Sequence, residues 1–72
     1  MKEIVLLLLT RKGLARCKVV LAEGKTIILS TPAGRVGFPR WALIPEGAHY
    51  RVSCRYEIDP QQESRLESAL GL

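Results

Sequence analysis

Histidine and cysteine are nearly absent from this chain of 72 residues: it has one histidine, His49, and two cysteines, Cys17 and Cys54. A four-ligand zinc site needs more donors than this, and two thiols do not build a disulfide framework. The sequence therefore implies no metal and no cofactor. Acid–base chemistry is equally short of groups. On one strand, a rise of ~3.3 Å per residue would set His49 and Glu57 roughly 26 Å apart, too far to serve one phosphate. There is no nucleophile elbow, P-loop or metal motif, so no catalytic residue is assigned and an enzyme is not expected. Long apolar runs are also missing. The longest, residues 4–9, is too short for a membrane span or a signal-peptide core, which predicts a cytoplasmic protein with no membrane partner.

What is present points to one small folded domain over residues 1–72. Hydrophobic residues make up 47% of the chain, too many for disorder. A domain of this size buries only ~60% of its unfolded surface, so its stability is marginal. Charge is unevenly distributed. Residues 1–56 hold ten Lys or Arg against Glu3, Glu23 and Glu46, whereas residues 57–72 hold Glu57, Asp59, Glu63 and Glu67 against Arg65 alone. A basic body with an acidic tail suggests a polyanionic partner for the body.

Period-2 patterning supplies the strands. The clearest stretch is residues 48–58, with Tyr50, Val52, Cys54, Tyr56 and Ile58 on a core face and His49, Arg51, Ser53, Arg55 and Glu57 facing water. A first strand opens at Lys2 and runs to Thr10. Its residues Ile4, Val5, Leu6, Leu7, Leu8 and Leu9 do not alternate, so both faces need cover, either from a C-terminal helix or from a second copy of the chain. The second strand, residues 14–21, turns Ala15, Cys17, Val19 and Leu21 inward and Arg16 and Lys18 outward. The third covers residues 26–30. The fourth begins at Arg35 and is broken, bulged or on an edge at Pro39. Both cysteines fall on predicted core faces, as buried thiols. Asp59, Pro60 and Gln62 form a strong helix start. The predicted helix spans residues 60–70, docks through Leu66, Ala69 and Leu70, and stops at Gly71. Five short strands over residues 2–58 and one helix predict a mainly β protein: a five-stranded SH3-like barrel, a hairpin packed on a three-stranded sheet with the helix closing an open end. An OB-like barrel is the alternative.

Two motifs carry a family resemblance. Thr31-Pro32-Ala33-Gly34, followed by Trp41-Ala42-Leu43 with Pro45 and Gly47 and then an alternating strand, resembles the crenarchaeal seven-kilodalton chromatin proteins over residues 31–59. The resemblance implies non-sequence-specific duplex DNA binding across a sheet. Trp41 would lie on the DNA face, Leu43 would be the wedge between base steps and Pro45 would sit beside it; the protein would then be nucleoid-associated. Glu46 and Ala48 stand where that family tends to be basic. A shorter stretch, Leu9-Thr10-Arg11-Lys12, is similar to the opening of the carbon storage regulator family of RNA-binding dimers.

From the residues themselves, Arg51 and Arg55 are expected to contact phosphates together with Arg16, Lys18, Arg35 and Arg40 on neighbouring strands, because guanidinium groups bind phosphate bidentately. Duplex DNA is the favoured partner and RNA the variant. The rival expectation is a protein-interaction module acting on a protein partner, with residues 4–9 serving a homodimer or a host-protein interface.

Overall fold

Four two-residue turns set the architecture. In the computed structural model, which describes residues 3–70, the strands are β1 (Val5–Thr10), β2 (Gly13–Glu23), β3 (Thr26–Thr31), β4 (Gly34–Pro39), β5 (Leu43–Glu46) and β6 (His49–Val52). A 3₁₀ turn (Arg40–Ala42) joins β4 to β5, and helix α1 (Pro60–Glu67) follows β6. The six strands form one sheet in the order β4-β3-β2-β1-β6-β5. All neighbours are antiparallel except β1 and β6, which run parallel.

β4 and β5 lie at opposite ends of that order, yet three residues connect them. A chain spans at most ~3.6 Å per residue, and six flat strands ~4.8 Å apart would separate the edges by roughly 24 Å. The sheet must therefore curl until its edges approach. β2 supplies much of the bend: its register against β3 shifts between Val19 and Leu21, a bulge at Val20. The curl stops short of closure, because β4 and β5 do not pair.

Two of the turns repeat one device. Thr10 and Thr31 each accept from the amide two residues on, Lys12 or Ala33 (3.2 and 3.3 Å), and donate to the carbonyl of Gly13 or Gly34 (2.7 and 2.6 Å). These glycines take φ of 132° and 131°, a region that side chains rarely enter. The shared Thr-x-x-Gly pattern makes β1–β2 and β3–β4 a repeated hairpin, absent from the sequence-based expectations.

Alternation then sorts the faces. Leu6, Leu8, Ala15, Cys17, Leu29 and Phe38 point into the curl and are buried. Leu66 and Ala69 cover them from the helix side. Each fully buried leucine or phenylalanine stabilises the fold by ~1.5–3 kcal/mol. Asp59 caps α1 through a capping box with Gln62: Gln62 N donates to Asp59 Oδ1 at 2.8 Å, and Asp59 N donates to Gln62 Oε1 at 3.1 Å.

Several expectations change. Leu21, expected inward, is exposed, because the bulge at Val20 reverses the alternation beyond it. The strand expected over residues 48–58 pairs only as β6. Ser53 N donates to Ala42 O (2.7 Å), and its hydroxyl accepts from Arg55 N (3.2 Å), so the serine turns inward and the chain leaves the ladder. That turn exposes Cys54, expected in the core; Cys17 is buried as expected. Tyr56 and Ile58 still pack on the core, whereas Tyr50 is exposed at its rim. The sheet has six strands instead of five. The helix ends at Glu67 instead of residue 70, because Ser68 caps it and Leu70 makes a β-bridge with Ala15. Lys2 as a strand start and Gly71 as a helix stop lie outside the described residues.

Candidate nucleic-acid interface

Residues opposite one another in register share a face, and the face turned away from the helix carries an unusual mixture. Val5 sits beside Lys18, Lys18 beside Ser30, and Ser30 beside Arg35, which makes one row across β1, β2, β3 and β4. In the rows alongside, Arg16 neighbours Leu7, and Leu9 lies between Leu14 and Arg51. Arg16, Lys18, Arg35 and Arg51 thus project from one sheet face, interleaved with aliphatic side chains, of which Val5, Leu9 and Leu14 are exposed.

The acidic tail lies on the opposite side. Glu57 and Asp59 lead into α1, and Glu63 and Glu67 belong to it. The separation is partial: Glu57 and Glu63 line the cleft that Arg51 also borders, and Glu67 pairs with Lys12 at 2.9 Å, while Arg16 and Arg35 have no carboxylate partner among the described residues. Two acids do reach that face. Glu3 meets Lys18 at 3.3 Å with both side chains mostly exposed, and Glu46 pairs with Arg51. Exposed pairs of this kind are worth ~0–1 kcal/mol, so an incoming anion displaces them readily.

Of the remaining candidates, all but Arg55 stand apart from this face. Leu43 is only 6% exposed and belongs to the core cluster, which corrects its expected role as a wedge: a wedge must project, and this side chain packs inward from β5. Trp41 is 59% exposed, but it lies on the 3₁₀ turn, its ring edge-on to Tyr56 at 5.8 Å. Tyr56 in turn packs edge-on against Phe38 of the core, so Trp41 belongs to the helix side and not to the outer sheet. Arg40 braces the neighbouring turn, with Nε donating to Gly24 O at 2.6 Å and its amide to Lys25 O at 2.8 Å. Pro45 is exposed on the edge strand β5. Arg55 lies in the turn after β6 and borders a cleft of about 800 Å³ with Arg11, Arg51, Tyr56 and Leu66. The structure therefore brings together Arg16, Lys18, Arg35 and Arg51, with Arg55 on a cleft shared with Arg51, and separates them from Trp41, Leu43, Pro45 and Arg40. Ser30 and Glu3 were missed as members of the face. Alternation in the third strand was the available signal for Ser30.

The sheet edges are occupied. Arg65 Nη1 donates to Arg35 O at 2.7 Å, and Gln62 Nε2 donates to Gly37 O at 3.0 Å. Helix side chains thus take up edge carbonyls of β4, while Pro45 interrupts the other edge. Burial pushes the Cys17 thiol above its ordinary pKa, which leaves it protonated and inert at neutral pH. Among the described residues, no group of three or more His, Cys, Asp and Glu could hold a metal ion, and no helix is long and apolar enough to cross a membrane. Comparison of the chain with protein-family models, curated proteins and solved structures finds no match.

Proposed function

We propose that this protein binds nucleic acid, with duplex DNA favoured, through the outer face of its curled sheet, in an architectural or regulatory role. One observation carries the reading: Arg16, Lys18, Arg35 and Arg51 share the outward face of the sheet. Cations spaced by strand geometry follow a phosphate backbone without reading bases, so the binding is non-specific. The interleaved aliphatics Val5, Leu9 and Leu14 supply apolar contact to sugars and base edges in a shallow groove. The finer fold reading that goes with this function is SH3-like. A β5–β6 hairpin and a three-stranded β2–β3–β4 sheet are joined through β1, and the helix covers the open end. The motif residues of the chromatin-protein resemblance, Trp41, Leu43 and Pro45, lie off this face, so the reading rests on the outer sheet alone.

The test is fluorescence anisotropy of a labelled mixed-sequence duplex across a salt series. Three or four phosphate contacts give a log–log salt slope of about −3, or roughly 60-fold weaker binding between 50 and 200 mM salt. Arg16→Glu combined with Arg35→Glu should abolish binding with the circular dichroism spectrum unchanged. Absence of salt-sensitive binding at low micromolar duplex would remove the reading.

A second reading has its own observation. Ile4, Val5, Leu9, Leu14, Val20 and Leu21 are all exposed, more aliphatic surface than a small domain ordinarily shows to water. A protein partner docking there would bind with little response to salt, and the same titration separates the two.

A further inference from the structure

β2 is shared between two partners, and the exchange opens a pocket. Its second half pairs with β3, but that ladder stops at Lys18 opposite Ser30. Its first half pairs with β1 on one edge, and on the edge that β3 leaves it is held by the chain end: Arg16 N donates to Ala69 O at 3.0 Å, and Ala15 bridges Leu70. β3 meanwhile continues into the Thr31-Pro32 turn. Where β2 and β3 part, a pocket of about 390 Å³ is left, lined by Arg16, Lys18, Ser30, Thr31, Pro32 and Val5. That is within the size range of small-ligand sites.

The lining is chemically specific. Arg16 and Lys18 are two residues apart on one strand, so their side chains leave the same face roughly 7 Å apart. The Ser30 hydroxyl faces them from the adjacent strand. Two cations and a hydroxyl converging on one opening supply donors on several sides of a tetrahedral oxyanion, with a guanidinium able to take two of its oxygens. Pro32 and Val5 supply an apolar rim that suits the sugar attached to a phosphate. The backbone at Arg16 is fixed by its bond to Ala69, so the strand is preorganised. Lys18 already has an anionic partner from outside the pocket lining: the Glu3 carboxylate meets its Nζ at 3.3 Å, loosely and in solvent.

We propose that the pocket between β2 and the β3–β4 turn is a phosphate site, in which Arg16, Lys18 and Ser30 hold a phosphate group of a nucleic acid or a nucleotide. The inference rests on the nucleic-acid reading for the source of that phosphate, and it adds a discrete anchor to an otherwise diffuse basic face. Glu3 acts as a competing lid carboxylate that the phosphate displaces.

The experiment is a titration of the ¹⁵N-labelled full-length chain, followed by amide shifts, with inorganic phosphate, with a nucleoside 5′-monophosphate and with a mixed-sequence duplex. The expected result is saturable movement of the Arg16, Lys18, Ser30 and Thr31 amides with all three. Glu3→Gln, an exposed change, should tighten nucleotide binding about two-fold, in line with the loss of a weak surface pair. Arg16→Ala should weaken it about ten-fold or more, the scale of a charge-assisted hydrogen bond. Ser30→Asp should abolish it, and should weaken duplex binding more than Ser64→Asp on the exposed helix surface. If the nucleotide moves these amides while the duplex binds nowhere, the phosphate site stands for free nucleotides and the duplex function falls. If the duplex binds with its salt dependence while the four amides stay still in every titration, the pocket is refuted and the wider interface survives.

Discussion

Replacing Gln62 with alanine tests whether the helix side chains hold the open sheet together. Gln62 Oε1 accepts from Asp59 N, closing the capping box, while Nε2 donates to Gly37 O at 3.0 Å and to Tyr56 Oη at 2.9 Å. One side chain thus joins the helix start, the edge of β4 and the aromatic cluster. Three lost hydrogen bonds at ~1 kcal/mol each would cost about 3 kcal/mol. Water can replace part of that at Gly37 and Asp59, and alanine returns a few tenths through helix propensity, which leaves a loss of about 2 kcal/mol. A domain of this size has roughly 4–11 kcal/mol in total, so the melting temperature should fall by about 10 °C. Asp59→Ala, which removes only the cap, should cost about 1 kcal/mol. Urea unfolding read by circular dichroism measures both. If Gln62→Ala destabilises no more than Asp59→Ala, the bond to the β4 edge contributes nothing and the account of how the sheet is finished is wrong. The double variant Gln62→Ala with Arg65→Ala frees both Gly37 O and Arg35 O. It should associate with rising concentration, visible by light scattering, where the parent stays at one mass.

Other outcomes follow from burial and charge. Under native conditions a thiol reagent should modify Cys54 and spare Cys17 until the chain unfolds. Because burial raises the Cys17 pKa, the unfolded chain gives up that proton first as pH climbs past the ordinary value of 9.0. The thiol's contribution is therefore intact below pH 9 and is lost above it, and Cys17→Ala should flatten the alkaline fall in urea midpoint. Lys12 adds a later loss of the same sign: its hydrogen bond to Glu67, then the charge of Glu67, raise its pKa above 10.5, and the pair weakens as pH rises through that raised value. Leu43→Ala should cost about 2–5 kcal/mol as a core truncation, while Trp41→Ala should cost only about 0.5–1.5 kcal/mol through its aromatic contact; thermal melts compare them directly.

Legibility in the sequence followed how local the determining physics was. The helix start was readable because Asp59, Pro60 and Gln62 act within four residues. Alternation alone turned Ala15, Cys17 and Val19 inward and Arg16 and Lys18 outward, and it failed at Leu21, which is exposed beyond the bulge at Val20. The strand at residues 48–58 went wrong at Ser53. Its hydroxyl competes for the Arg55 amide, and its own amide is taken by Ala42, a partner eleven positions away that periodicity does not see. Leu43 was assigned outward through the family resemblance; its place in the core follows from the curl of the sheet, which depends on the three-residue link between its two edges. The uneven charge of the chain was legible. That its two halves end largely on opposite sides of the sheet depended on where the helix docks.

The topology also bears on how this protein can meet any partner. β1, the apolar strand expected to need cover on both faces, pairs with β2 along its length and with β6 only at Leu8 and Leu9; its inward leucines Leu6 and Leu8 are buried, while Val5 and Leu9 on its other face stay exposed. The edges of the whole sheet are closed by Gln62, Arg65 and Pro45, so strand addition has little to pair with. A homodimer through residues 4–9 would have to stack outer face on outer face. Two-fold symmetry would then bring two basic patches together, with Glu3 and Glu46 as the acids on the same face to offset them. The outer face is left as the principal contact surface, and its chemistry favours an occupant that is anionic and presents apolar edges. A nucleic-acid backbone with its sugars, the occupant proposed above, has both properties.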